Sequence, residues 1–251
     1  MTTIKNIIDF TETFAPLETA MDFDNCGLLV GSENKAVTKV LVALDITDRV
    51  IDEAVDMGAE LIISHHPVIF NPLKSIDGNS ILYKLIQNNI SALCLHTNLD
   101  LSPEFGVNTC LADAVGVKGG MFADGECLLI GELRQEMGIE EFANRVKTSL
   151  NCKGLRFTRT KDKIKTVAIC SGSGGDYVSL AKDYNADVLL TGEIKHHQIL
   201  DANALGISII DAGHFKTEDI VIDPLCRKLN TEFKNAEFIK SKTCTDNIEY
   251  L

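Results

Sequence analysis

Short apolar runs alternate with amphipathic helical patterns along this chain, and this alternation restricts its fold more than any other feature. The runs at 40–44, 61–63 and 91–95 are continuous, as in strands that are buried on both faces. Helical patterns lie between them, one ending at Gly58 and one over about 79–88. Strand, helix, strand, helix, strand is typical of mostly parallel sheets flanked by helices, so we predict an α/β fold.

Asp45 and Thr47 stand directly before the first of these helices. Both residue types favour the position where a side-chain oxygen accepts a hydrogen bond from a free amide of the first turn. Gly58 suits the left-handed conformation that ends many helices. We therefore expect a helix that Asp45 or Thr47 caps and that Gly58 terminates.

The same order of elements returns in the second half of the chain. Buried strands are predicted at 166–170, 186–190 and 207–210, with one helix running through Ala181 and another over about 195–204. The repeat indicates a second α/β unit. Between the two halves, shorter patterns predict a strand at 126–131 and a helix at 138–150.

Two local echoes accompany the repeat: residues 58–66 resemble 185–191, and residues 89–96 resemble 206–214. We interpret them as an internal duplication that produces two related α/β lobes, at 1–125 and 126–251, with elements that can cross this boundary. The alternative is that any two strand–helix–strand units look alike.

The composition of the 251 residues excludes several classes of protein. With 45% hydrophobic and 24% charged residues, the chain is neither disordered nor fibrous. Its 36 acidic and 24 basic residues give a formal charge of −12, which disfavours nucleic acid and anionic membranes as partners. The eight cysteines form no CxxC pair, and no stretch is long and apolar enough for a bilayer. We expect a soluble cytoplasmic protein with reduced thiols.

All six histidines follow the C-terminal ends of predicted buried strands, where open α/β sheets usually bind ligands. They are His65, His66, His96, His196, His197 and His214. One histidine at such an edge is more often structural than ligating, but six at equivalent edges favour a metal site. Adjacent side chains on a strand point to opposite faces, so His65 and His66 suit two neighbouring ions better than one.

Carboxylates accompany these histidines. Asp100 follows His96 by four residues, and Glu218 follows His214 by four, which places the latter pair on one face of a helical turn. Imidazole and carboxylate ligands suit zinc, iron or manganese, and the sequence offers no cysteine pair for a thiolate site. Because candidate ligands come from both halves, we expect divalent metal in the cleft between the lobes.

Several motifs resemble the NIF-three-like dinuclear-metal family, also called GTP cyclohydrolase I type 2. They occur in the same order over nearly the whole chain: Phe23-Asp24-Asn25-Cys26-Gly27-Leu28, Leu44-Asp45-Ile46-Thr47, Ile63-Ser64-His65-His66-Pro67, Thr191-Gly192-Glu193 with Lys195 and His197, and Gly213-His214 with Thr217-Glu218. The family usually has tryptophan where this chain has Phe23. Residues 101–160 are too few for the extra domain of longer relatives, so the chain resembles the compact form.

The resemblance implies two divalent ions per chain, with Glu218 touching both. It places His66 and Asp100 on one ion and His65 and His214 on the other. His96, His197 and Lys195 match positions near the site without being assigned as ligands. The resemblance also implies a homohexamer.

The function implied by the resemblance is a metal-dependent hydrolase that attacks a nucleotide-like small molecule with a metal-bridging hydroxide. The alternative is a non-enzymatic protein for metal storage, delivery or a regulatory interaction, because no separate acid–base residue stands out beside the ligands. The glycine-rich segment 171–175 lacks the lysine of a P-loop and the GxGxxG spacing, so a tight turn is favoured over an anion site. Lys195 and Lys216 are the candidate cations near the site.

Overall fold

The chain folds into sheets flanked by helices, as the sequence predicts, in a computed structural model that describes residues 1–251. Its strands are β1 (Thr2–Thr3), β2 (Gly27–Val30), β3 (Ala36–Val37), β4 (Lys39–Ala43), β5 (Leu61–Ser64), β6 (Ser91–Cys94), β7 (Val117–Phe122), β8 (Leu129–Gly138), β9 (Arg156–Phe157), β10 (Lys163–Cys170), β11 (Val188–Thr191), β12 (Ser208–Asp211) and β13 (Glu237–Lys240). Its α-helices are α1 (Ile4–Thr11), α2 (Asp48–Met57), α3 (Ile81–Gln87), α4 (Thr97–Asp100), α5 (Val107–Val115), α6 (Ile139–Ser149), α7 (Val178–Asp183), α8 (His196–Leu205), α9 (His214–Glu218) and α10 (Ile222–Glu232). None of these helices combines the length and apolar character that a membrane span requires.

The first unit comprises residues 1–102 and 222–245. Its sheet has the order β13-β4-β5-β6-β2, in which the first four strands are parallel and β2 is antiparallel to β6. The predicted apolar runs form the centre of this sheet, and residues 61–63 are fully buried. A parallel sheet with helices on its faces buries both sides of each central strand, which explains why these runs do not alternate with polar residues.

The structure confirms the predicted end of α2 at Gly58 and one of its two candidate caps. Thr47 caps the helix by accepting a hydrogen bond from the Val50 amide at 3.3 Å, and Gly58 ends it in the left-handed conformation, with φ of 70°. Asp45 does not cap the helix. Its carboxylate lies 2.7 Å from Nδ1 of His66, so it supports a histidine instead.

The second unit comprises residues 103–221 and 246–251. Its sheet has the order β7-β8-β10-β11-β12-β9, and only β10, β11 and β12 are parallel to one another. The other three strands pair antiparallel, so this sheet is mixed rather than mostly parallel. The connection from β7 to β8, residues 123–128, is too short for the crossover that a parallel pair requires.

Successive residues of β10 and β11 point to opposite faces of the sheet and belong to two different clusters of buried residues in the second unit. Val167 and Ile169 belong to a cluster with residues of α5 and α6, whereas Ala168 and Cys170 pack with residues of α7 and α8. This alternation is the period-two geometry of a strand with helices on both faces.

The units are not the contiguous segments 1–125 and 126–251. Residues 103–125 lie in the second unit, and residues 222–245 lie in the first because β13 pairs in parallel with β4. The proposed duplication stays a prediction.

Candidate metal centre

Three histidines of the first unit come together at the ends of two neighbouring strands. His65 and His66 follow β5, and His96 follows β6, which pairs with β5 in parallel register. Their ring centroids are 5.1 to 5.6 Å apart, and one ring nitrogen of each lies within 4.8 Å of the others. Because β5 and β6 pair in parallel, histidines that are distant in the sequence lie side by side. They form a group of imidazoles that is suited to hold a metal ion.

Each of the three rings is held at Nδ1 by an oxygen atom. The oxygens are the Leu95 carbonyl for His65 at 2.8 Å, an Asp45 carboxylate oxygen for His66 at 2.7 Å and an Asp24 carboxylate oxygen for His96 at 2.8 Å. An oxygen acceptor at Nδ1 favours the neutral tautomer with its proton on that nitrogen. In this tautomer the lone pair is on Nε2, as it is in a histidine that binds metal through that nitrogen.

Asp100 brings a carboxylate to this group. It is the last residue of α4 and is buried, with Oδ1 at 3.6 Å from Nε2 of His65. The short helix follows His96 directly, so β6, His96 and α4 together determine where the carboxylate lies. The arrangement combines imidazole nitrogen and carboxylate oxygen, the donors that zinc, iron and manganese accept.

Asp24 is the most strongly hydrogen-bonded carboxylate near these histidines. Its side chain is fully buried and accepts hydrogen bonds from His96 Nδ1, Cys26 Sγ and both the amide and hydroxyl of Thr97. Burial is the largest single effect and raises its pKa, but the bonds from His96, Cys26 and Thr97 together outweigh burial. The pKa of Asp24 is therefore held far below its ordinary value of 3.8.

We expect Asp24→Asn to destabilise the protein by about 3 kcal/mol at neutral pH, because an amide cannot accept every bond that the buried carboxylate accepts. The loss should depend on pH. A depressed carboxyl pKa stabilises the fold above 3.8, the ordinary value, and this stabilisation decreases progressively as the pH falls from 3.8 toward the lower pKa of the folded state. Denaturant unfolding of both proteins from about pH 7 down to about pH 3 checks this, since the difference should shrink on acidification.

The matched control is Asp22→Asn, which makes the same charge change at an exposed position two residues away. It should leave the free energy of unfolding nearly unchanged across this pH range. Equal effects of the two substitutions would contradict a special role of Asp24.

His214 and Glu218 lie together in the second unit. Both belong to α9, which follows β12, and His214 Nε2 is 3.0 Å from Glu218 Oε2. The spacing of four residues thus places them on one helical face, as predicted. Glu218 is buried, and the other ring nitrogen of His214 lies 3.4 Å from Oε1 of Glu193.

Three amides of the glycine-rich turn 171–175 are used by side chains of the same unit. The amides of Ser171, Gly172 and Gly174 donate to Asn108 Oδ1, Thr217 Oγ1 and Thr191 Oγ1. Side chains of this unit therefore hold the turn in place through these three donors, which supports the tight-turn interpretation.

Gly172 approaches the candidate ligands closely. Its φ is +58°, and an added Cβ would clash with Oε1 of Glu218 and come within 3.2 Å of His214 Nε2. No local sequence pattern marks this role, since the contact joins the β10–α7 turn to α9. Glycine is required here both by the backbone conformation and by the space that Glu218 occupies.

We expect Gly172→Ala to reduce metal binding because the new methyl group displaces the Glu218 carboxylate. Gly206→Ala is a matched control: Gly206 has a similar φ of +77° and nothing within 4 Å of an added Cβ. Both variants should lose roughly 1 kcal/mol or more from the strained backbone, measured as thermal stability. Only Gly172→Ala should also bind less metal per chain, and an equal metal content in both would contradict the contact.

The remaining histidines are placed differently. His196 and His197 are exposed in the first turn of α8, and His197 makes no hydrogen bond or ion pair with His214 or Glu218. Lys195, directly before α8, lines a cavity together with His214. Asp24 and Asp45 are the residues near the histidines whose role the sequence patterns did not reveal.

Residues 2–247 match the model of the Duf34/NIF3 (NGG1p interacting factor 3) family. The chain belongs to this family. A Clostridium perfringens relative, "GTP cyclohydrolase 1 type 2 homolog", is 36% identical over 261 aligned residues, covering 99% of both chains. The resemblance inferred from the sequence motifs is confirmed.

Solved structures of other proteins share the fold of this NIF3-family chain. A Bacillus cereus protein related to NIF3 has a TM-score of 0.91 with 27% identity, covering 100% of this chain and 99% of that one. Reduced HcgD from Methanocaldococcus jannaschii has a TM-score of 0.84 with 30% identity, covering 96% and 98%. The family and the fold are thereby established, whereas the five predicted metal ligands stay predictions.

Proposed function

We propose that this chain is a metal-dependent hydrolase that holds two divalent ions and acts on a nucleotide-like small molecule. The observation that supports this most is the fixed orientation of the imidazoles. Nδ1 of His65 and of His66 each faces an oxygen acceptor, which favours the tautomer whose lone pair is on Nε2, the form in which histidine binds metal. A solvated surface histidine requires no such partners.

The proposed ligands are those that the family resemblance implies: His65, His66, Asp100, His214 and Glu218. The donor chemistry of these residues fits zinc, iron or manganese. Glu218 is proposed as the shared ligand because a carboxylate has two oxygens and a neutral imidazole has one free nitrogen. The homohexamer implied by the resemblance stays a prediction.

Divalent ions supply, when bound, Lewis acidity and a water molecule whose pKa falls toward about 7, hence a nucleophile at neutral pH. The chain's own residues do the positioning. Asp45 and the Leu95 carbonyl fix the rings of His66 and His65, and Gly172 leaves the space in which the Glu218 carboxylate lies. No strong separate base is then needed to deprotonate water.

A nucleotide-like substrate is supported by the name of the Clostridium perfringens relative, a GTP cyclohydrolase 1 type 2 homolog. The formal charge of −12 opposes this, because it slows the approach of an anion. Cations near the site therefore have to offset the negative electrostatic potential that the net charge of the protein produces there. Lys195, which lines the same cavity as His214, is the candidate in the second unit.

The experiment is metal analysis of protein purified without added metal, followed by a hydrolase screen that includes GTP and simple phosphoesters. We expect a nitrogen- and oxygen-bound divalent metal and turnover that a chelator removes. Transfer of the ion to a metal-free acceptor protein, with no turnover of any substrate, would instead favour the storage or delivery function.

A further inference from the structure

A cavity of about 410 Å³ lies within the second unit, and His214 forms part of its wall. Its volume falls in the range of about 300–1,000 Å³ that is usual for small-molecule sites. Leu155, Ile248 and Tyr250 contribute apolar surface to its lining, and the cations Arg156 and Lys195 also line it. An aromatic ring and basic groups therefore share one cavity with a proposed metal ligand.

The ring of Tyr250 lies against the backbone at Gly154. A Cβ added at Gly154 would come within 2.7 Å of Cδ1 and 3.0 Å of Cε1 of Tyr250, so a larger residue there would have to displace the ring. Tyr250 is nevertheless 43% exposed and Ile248 is 55% exposed. The ring is thus supported from one side while part of its surface stays accessible, which is the geometry of a stacking platform. Both residues lie beyond residue 247, where the family match ends.

The two cationic side chains of the cavity, Arg156 and Lys195, differ in whether an acidic group neutralises their charge. Arg156 Nε is 3.1 Å from Asp211, and the guanidinium also donates to the Ile194 carbonyl, so its charge is matched. Lys195 is exposed, and its ammonium makes no ion pair. It also precedes the first turn of the ten-residue helix α8, whose N-terminal dipole adds positive potential. Lys195 is therefore the group in this cavity best suited to an anion.

We propose that this cavity binds a small molecule that combines a planar aromatic ring with an anionic group, the ring on Tyr250 and the anion at Lys195. The cavity would then be the substrate pocket of the metal centre, and this part rests on the proposed function because it relies on His214 as a ligand. The binding itself requires neither metal nor catalysis. Glu193 disfavours additional negative charge beside His214, so a single anionic group suits the cavity better than several.

The test uses the metal-free full chain and GMP as the probe, with guanosine as the uncharged comparison, by isothermal titration calorimetry. Lys195→Ala should weaken GMP binding roughly tenfold and leave guanosine binding unchanged, because a charge-assisted contact is lost. Tyr250→Ala should weaken both ligands roughly tenfold through loss of stacking, whereas Tyr250→Phe should retain the affinity. Lys182→Ala removes an exposed lysine outside the cavity and should change nothing.

The absence of GMP binding to the metal-free chain would overturn the proposal, as would equal GMP affinity in the wild type, Lys195→Ala and Tyr250→Ala. Melting temperatures of all variants identify any that fail to fold. If Tyr250→Ala fails to fold, Tyr250→Phe still tests whether the aromatic ring without its hydroxyl is sufficient for binding. GMP binding without hydrolysis of any substrate would refute the proposed hydrolase and leave this site standing. Hydrolysis of a substrate without GMP binding would refute this binding site and leave the proposed hydrolase standing.

Discussion

Glu218→Ala is expected to reduce the metal content from two ions per chain to nearly none, whereas Asp100→Ala is expected to remove only one. The difference follows from the proposed ligand set, in which Glu218 touches both ions and Asp100 touches one. Loss of a shared carboxylate removes a ligand and a negative charge from both ions at once. The measurement is metal content by mass spectrometry after separate reconstitution with zinc, iron and manganese.

The glutamate is buried, so its replacement by alanine also leaves space beside His214. Glu218→Gln is therefore included, because it preserves the shape while removing the charge and one of the two oxygen ligands. Asp183→Ala, at an exposed position at the end of α7, controls for the loss of a carboxylate in the same unit. Equal loss of one ion in the Glu218 and Asp100 variants would refute the shared ligand.

The central strands of both sheets could be predicted because burial on both faces leaves a direct trace in the sequence. Residues 61–63 and 188–190 are continuous apolar runs and are fully buried. Edge strands leave no such trace. In β13 only Phe238 is buried, and β7 contains two glycines and is mostly exposed, so neither has a recognisable period. Their pairing depends on contacts that are distant in the chain.

The histidines of the first unit could be predicted as a group because β5 and β6 end at the same edge of the sheet. The residues that orient them could not. His96 and Asp24 are 72 positions apart, and His66 and Asp45 are 21 apart, so no local spacing connects them. The sequence offers Asp45 as well as Thr47 as the cap of α2, since an aspartate before a helix is compatible both with capping and with supporting a histidine. The fold selects between them by placing Thr47, not Asp45, at the cap.

His66→Ala is expected to abolish the proposed hydrolysis while leaving the fold intact. The substitution removes an imidazole that Asp45 holds in place, and the partial exposure of the side chain lets solvent fill part of the space that it leaves. Asp45→Asn should have a smaller effect, about 10–100-fold on metal affinity, because the ring remains and only its orientation is weakened. The order of the two effects distinguishes a ligand from its support.

The assay compares turnover of an identified substrate by wild-type, His66→Ala and Asp45→Asn protein, each with its metal content and melting temperature. His196→Ala is the matched control, because it removes an exposed histidine from the first turn of α8 and should retain full activity. Activity that survives unchanged in His66→Ala, or after complete chelation, would arise from a contaminating enzyme. A chain that binds two ions, loses them on Glu218→Ala and still turns over nothing would be a metal carrier, since its ligands would then serve binding without catalysis.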